Sequence, residues 1–205
     1  MEKDKNINEN IKLFDNLAKF YDYPLLQYWL KQFHKPVLNY IDYSRKSKIL
    51  DISCGTGELL NSIRKRDKNG KLELYGIDLT ANMLKVARKK LSKEVILKRG
   101  DVHKLKFPEN CFDYVISTEA FHHYYNQDKA LQEMKRVAKI GGNVIIVDVN
   151  FFSRFVHKLF QRLETGCVKL NDMNEMKELF KKAGLKVINQ KRNFLFSVVT
   201  YGQKL

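Results

Sequence analysis

The sequence predicts an α/β protein built on a doubly wound, seven-stranded sheet. The sheet should be mostly parallel, with an antiparallel C-terminal strand and helices on both faces. Three observations predict it. From residue 47 onward, short apolar runs alternate with helical patterns, as in βαβ units. A glycine-bearing loop, Gly55-Thr56-Gly57, joins the first apolar run directly to a helix. The second run ends on a carboxylate, Asp78.

The strand-like runs are residues 48–52, 72–79, 95–98, 112–117 and 143–149, and the helical patterns between them are 58–66, 81–91 and 127–139. In the last, Ala130, Leu131, Met134, Val137 and Ala138 share one helical face. Thr80 stands where a cap for the 81–91 helix belongs, and Gly141-Gly142 should stop the 127–139 helix. Past the fifth strand comes an apolar stretch, Phe151, Phe152, Phe155, Val156, Leu159, Phe160 and Leu163, broken by basic residues. Asp172-Met-Asn-Glu175 then reads as a capping box for a helix through Ala183, stopped by Gly184. Runs 186–191 and 195–201 form an expected hairpin around Arg192-Asn193, and residues 7–42 look helical and aromatic. The expected layout is one domain: an N-terminal helical cap (1–46), a binding core (47–149), an insertion (150–171), and a C-terminal helix and strand pair (172–205).

The chain has 205 residues, 38 Lys+Arg and 23 Asp+Glu, for a formal charge of +15. With 44% hydrophobic residues and 3 prolines it is neither disordered nor collagen-like. No apolar run approaches the ~18 residues of a membrane span, and residues 1–10 are too polar for a secretory signal. Cys54, Cys111 and Cys167 form no CxxC pair, so the expectation is a reducing, cytoplasmic setting and no metal site. The excess charge lies in two blocks. Residues 85–106 carry nine basic and two acidic groups, and residues 150–205 carry eleven and four. Residues 107–149 carry four and six. Solvated lysines on helix faces explain such blocks, and an anionic partner would also fit them.

Lys48-Ile-Leu-Asp51-Ile-Ser-Cys-Gly55-Thr-Gly57-Glu carries the chemistry. Glycines let the backbone approach a ligand, and free N–H groups at a helix start favour an anion. Asp78, 21 residues after Gly57, is placed to accept hydrogen bonds from ribose hydroxyls. A dinucleotide fingerprint would put a third glycine where Leu60 stands. Asp51 puts negative charge where pyrophosphate would sit, which suits an ammonium group instead. S-adenosyl-L-methionine has a ribose, a carboxylate and an ammonium.

The ordered motifs resemble class I methyltransferases that use this cofactor and have a Rossmann-like core, and they cover about residues 14–205. Ile49-Leu-Asp51-Ile-Ser53-Cys54-Gly55-Thr-Gly57 is similar to the family's first motif, with Ser53 replacing the usual first glycine. Tyr75-Gly-Ile-Asp78-Leu79 is similar to the second motif, with Met83 following, and Gly100-Asp101-Val102 to the adenine loop. Residues 112–118, ending at Thr118, match the fourth strand, and Lys139-Ile-Gly-Gly142 matches a turn in which Ile140 replaces proline. Phe14-Asp-Asn-Leu-Ala-Lys-Phe-Tyr21-Asp22 resembles an N-terminal element whose tyrosine covers the cofactor. Glu119-Ala-Phe-His122-His123 followed by Ala130-Leu-Gln-Glu133 resembles the quinone-type, or "type 11", small-molecule methyltransferases, a pattern shared with some tRNA wobble-uridine methyltransferases.

The resemblance implies direct in-line methyl transfer to a small, partly apolar acceptor such as a quinol or lipid precursor, leaving S-adenosyl-L-homocysteine. The implied cofactor residues are Tyr21, Asp51, Ser53, Cys54, Gly55, Gly57, Asp78, Leu79, Met83, Asp101, Val102 and Thr118. For a phenolic acceptor, His122 or His123 is the right chemical type for a base. Adjacent residues on a helix point about 100° apart, so at most one should aim into the site. The acceptor is expected under the 150–171 insertion, beside Tyr21, Tyr124 and Tyr125, although the insertion's aromatics also suit ordinary core. Cys54 reads as a small spacer. A tRNA-modifying methyltransferase and a non-catalytic cofactor-binding partner subunit are the alternatives. Membrane contact is expected to be at most peripheral, on an anionic surface.

Overall fold

The computed structural model describes residues 2–194 and 196–205. One seven-stranded sheet is formed by β1 (Ser47–Ile52), β2 (Leu72–Asp78), β3 (Ile96–Arg99), β4 (Phe112–Thr118), β5 (Ala138–Val149), β6 (Leu185–Phe194) and β7 (Ser197–Lys204). Its order is β3-β2-β1-β4-β5-β7-β6. β1 to β5 pair in parallel, and β7 runs antiparallel to both β5 and β6. β7 alone therefore opposes the rest. The helices are α1 (Glu2–Leu17), α2 (Pro24–Tyr40), α3 (Glu58–Arg66), α4 (Ala81–Lys90), α5 (Gln127–Val137), α6 (Arg154–Leu163) and α7 (Met173–Lys182).

Successive β-strand side chains point to opposite faces, so each central strand feeds two apolar layers. Leu50 and Ile52 face a layer with Val115, Val144, Ile146 and α5 and α7 side chains such as Met134 and Phe180. Ile49 faces the other, with Tyr114, Ile116, Ile145 and residues of α2, α3 and α4 such as Phe33, Ile63 and Leu84. Because β1 is flanked by β2 and β4, the strand order reverses there, and a crevice opens at the carboxyl ends of β1 and β4.

Four local expectations are corrected. Gly141-Gly142 do not stop α5, which ends at Val137, but lie within β5. Gly141 is left-handed (φ 74°), and a Cβ on Gly142 would come within 2.8 Å of the Lys139 carbonyl, so the pair makes a tight kink where the β4–β5 register shifts. Thr80 precedes α4 without capping it through its side chain; its amide instead donates to Asp78 Oδ1 at 2.8 Å. Arg192-Asn193 lie inside β6, so the hairpin turn comes later. The expected strand start at Leu195 lies outside the described residues. In the insertion, Phe152, Phe155 and Leu159 are neither core nor cavity lining but exposed. The Asp172 capping box forms as expected, with both reciprocal bonds present.

Candidate active site

The crevice at the strand-order reversal is a cavity of about 1080 Å³ including its open mouth. Tyr21, Asp51, Ser53, Cys54, Gly55, Asp78, Leu79, Met83, Asp101, Val102, Thr118 and His123 all line it. Two expected residues do not. Gly57 sits behind the loop at φ 77° as the residue before α3, where a Cβ would come 2.6 Å from Leu91 Cδ1. It shapes the turn rather than the wall. His122 lies beneath the surface, 1% exposed.

The loop after β1 is fixed by Asp78. Its Oδ2 accepts from the Gly55 amide at 2.9 Å and its Oδ1 from Thr80. The Cys54 and Gly57 amides bond to Ile77 and Cys54 carbonyls, so three loop N–H groups are used inside the protein. Fewer are free for an anion than the loop's sequence suggests. Ser53 adopts φ 58°, the left-handed region that favours glycine, and its hydroxyl lies 3.0 Å from the Tyr124 hydroxyl. Thr56 donates to Asp22 at 2.8 Å, and Lys90 bridges Asp22 and Glu58, so the segment between α1 and α2 is tied to the loop. Burial pushes the Cys54 thiol well up, in keeping with a spacer.

Asp51 carries the clearest signal for a ligand. It is buried, its Oδ1 has no hydrogen-bond partner, and burial followed by the nearby Asp78 charge pushes its carboxyl well up. An unpaired buried carboxylate on a cavity wall is costly, and a cationic ligand group would relieve it. The ammonium of S-adenosyl-L-methionine fits that requirement.

Farther along the cavity, Glu119 follows β4 at φ 49°, a strained conformation for a non-glycine residue. Trp29 Nε1 donates to its Oε1, while its buried Oε2 has no hydrogen-bond partner. Burial pushes Glu119 up to about 7, the Trp29 bond acting against that shift. Sequence reasoning passed over Glu119, although an acid one residue past a central strand already lies at the ligand crevice. It also missed the α1 wall formed by Ile7, Asn10, Ile11 and Phe14, because amphipathic helices look alike whether they cover a core or a ligand.

The two histidines divide as helical geometry requires. His122 Nδ1 lies 2.6 Å from Asp148 Oδ1, and Nε2 lies 3.4 Å from Glu164 Oε2. Burial lowers its basicity, but the Asp148 and then Glu164 carboxylates outweigh this and raise it to about 10. His123 Nδ1 lies 3.0 Å from the Gly166 carbonyl, and burial followed by the His122 charge lowers it to about 4. His122, His123 and Glu164 are the one trio of possible metal ligands among the described residues, and the ion pairs of His122 already occupy that group.

This geometry has a stability consequence. A histidine raised from its usual value of about 6.5 stabilises the fold fully below that value. The contribution is lost as pH rises through about 10. The unfolding midpoint should therefore fall between pH 7 and 10. Asp148→Asn should cost about 3–5 kcal/mol at pH 7 and flatten that slope. Urea titrations that found the two proteins equally stable would refute the buried pair's importance.

Residues 44–193 match the family described as methyltransferase domain. The chain belongs to that family. Among similar proteins, the demethylmenaquinone methyltransferase of Bacteroides fragilis is 29% identical over 157 residues, covering 72% of this chain and 62% of that enzyme. The match thus spans less than two thirds of that relative's length. The demethylmenaquinone methyltransferase of Staphylococcus carnosus is 28% identical over 213 residues, covering 91% and 85%. A SAM-dependent methyltransferase from Aquifex aeolicus shares the fold with TM-score 0.76 at 22% identity, covering 93% of this chain and 98% of that one. So does the complex of the Haloferax volcanii Trm112 methyltransferase activator and a putative methyltransferase, at TM-score 0.79 and 20% identity, covering 93% and 96%. No helix among the described residues is long and apolar enough to cross a membrane.

Proposed function

We propose that this methyltransferase acts on a small, apolar, hydroxyl-bearing acceptor of the quinol type, with Glu119 accepting the proton. The observation that carries the reading is Glu119 itself: a carboxylate with a buried, unpaired oxygen, raised to about 7, in a cavity whose lining includes the apolar Ile7, Ile11, Phe14 and Leu30 beside the polar Asn10 and His34. The names of the Bacteroides and Staphylococcus relatives support the same substrate class.

In this reading, Asp51 would receive the ammonium of S-adenosyl-L-methionine and Asp78 its ribose hydroxyls. Asp101 and Val102 would hold the adenine, and Leu79 and Met83, which line the same cavity, would receive the nucleoside. Ser53, Cys54, Gly55 and Thr118 shape the floor. Tyr21 lies over Gly55, where a Cβ would come 3.8 Å from the ring, and its buried hydroxyl feels the charges of both Glu119 and Asp78. When bound, S-adenosyl-L-methionine supplies a sulfonium methyl group with a neutral thioether as leaving group. The protein's own work is orientation, exclusion of water and removal of one proton. Ionising a quinol hydroxyl makes both its oxygen and the ring carbon electron-rich, and the proton passes to Glu119 Oε2.

A base works best when its own pKa lies near the working pH. Glu119 meets that condition. His122 is already protonated at neutral pH, and His123, lowered to about 4, is a weak acceptor. The reading therefore moves the proton-accepting role from the histidines to Glu119. His123 keeps a place as a neutral wall residue.

Incubation of the full chain with methyl-labelled cofactor and separate lipid-extractable, water-soluble and RNA fractions tests the reading. Label should enter the lipid-extractable fraction. Label in RNA alone would give the tRNA-modifying alternative instead, and no turnover with any fraction would favour a partner subunit.

A further inference from the structure

The segment around α6 leaves an apolar face uncovered. Phe152 and Phe155 are each 73% exposed, Leu163 is 74% exposed, and Val156 and Leu159 are also exposed. At about 100° per residue, Phe155, Leu159, Leu163 and Val156 fall within one arc of about a quarter turn. The opposite side faces the protein: His157 Nε2 accepts from the Phe151 amide at 3.0 Å, and Gln161 donates to the Val168 carbonyl at 2.9 Å. Phe160 packs on Phe151 with ring centroids 5.0 Å apart. The stripe is thus not a core face awaiting its own fold.

The charged side chains that α6 itself places along the stripe are of one sign. Residues 151–163 contain no acid. Lys158 and Arg162, one helical turn apart, are both exposed and border the Phe155 edge of the stripe. Arg192 lies over the Phe152 ring at 3.9 Å from its centroid. Glu164, which could neutralise them, is turned inward against His122. A chain of rings, Phe151–Phe196 at 5.3 Å and Phe196–Trp29 at 6.1 Å, joins this segment to the start of α2. There Tyr23, Leu25 and Tyr28 are also exposed.

We propose that the exposed face of α6, with Phe152 beside it, docks this methyltransferase on an anionic phospholipid surface. The apolar stripe enters the headgroup–acyl boundary, and Lys158 and Arg162 meet the lipid phosphates, while Arg192, held by Asn150, adds positive potential beside Phe152. A strongly amphipathic helix with a one-sided cationic border has the character of an interfacial helix. Two copies packed through this face would bring their cations together, so charge favours the lipid over a second copy. The exposed tyrosines near α2 have the ring-and-hydroxyl character suited to the same boundary. The inference stands apart from the identity of the acceptor, because docking is measured without turnover.

The test is flotation of the full chain with phosphatidylcholine vesicles, with and without roughly 30 mol% phosphatidylglycerol, which makes the surface anionic. Binding should need the anionic lipid and weaken with salt. The double variant Phe155→Glu/Leu159→Glu should bind at least ~10-fold less, a factor set by losing two buried side chains. Lys158→Glu/Arg162→Glu should lose the preference for phosphatidylglycerol. Both should keep wild-type cofactor affinity and thermal midpoint, since these residues are exposed. No flotation by the wild type, or equal flotation by the Phe155→Glu/Leu159→Glu variant, would overturn the proposal. So would a wild-type dimer in solution that this variant splits, because the face would then belong to a second copy.

Discussion

Asp78→Ala should reduce affinity for S-adenosyl-L-methionine by at least ~100-fold, equivalent to about 2.7 kcal/mol. The expectation rests on two losses at one position. The Asp78 carboxylate accepts from Gly55 and Thr80 and so organises both the loop after β1 and the entry to α4. Hydrogen bonds to charged groups contribute about 1.5–3 kcal/mol each. The same carboxylate lines the cavity where ribose hydroxyls would be received. Asp78→Asn retains an acceptor for Thr80 but sets an amide against the Gly55 N–H, so its affinity should fall between the two. Titration calorimetry measures both, with a thermal melt to establish that each variant is folded. An Asp78→Ala protein that is folded and binds within threefold of wild type would remove Asp78 from the cofactor site.

Glu119→Gln should lower kcat by about 10²–10⁴, the range for loss of a positioned base, with little change in cofactor affinity. Its amide can still accept from Trp29, so the wall should keep its shape. In the wild type, activity should rise as pH passes through about 7, because the carboxylate must be ionised to take the proton. That limb should vanish in Glu119→Gln. His123→Ala should retain the limb, because the histidine is already neutral throughout the range. A Glu119→Gln enzyme with the wild-type limb would assign it to the acceptor's own hydroxyl.

The sheet was legible because β1, β2, β4 and β5 carry apolar runs bounded by turn residues, and burial on both faces of a parallel sheet produces that pattern, whereas β3 is a short, exposed edge strand. Asp51, Gly55 and Asp78 were legible for a different reason: they lie at or just past the carboxyl ends of β1 and β2, which fixes them at the crevice once the topology is known. Gly57 could not be separated from Gly55 by sequence, since both have positive φ and only packing against Leu91 shows which one faces away. The histidine pair was ambiguous until Asp148 and Glu164, distant in sequence, closed on His122. The α6 aromatics misled in the opposite sense. Their spacing describes an apolar face, and spacing alone does not say whether protein covers it.

The most direct test of the central claim is a single-turnover assay of the purified chain. It would use methyl-labelled S-adenosyl-L-methionine and a defined naphthoquinol, supplied reduced and, in parallel, oxidised. Label should appear in the reduced acceptor with equimolar S-adenosyl-L-homocysteine, and should be absent with the oxidised quinone, which has no hydroxyl proton for Glu119 to remove. Transfer to neither form, with robust transfer to RNA under the same conditions, would contradict the account.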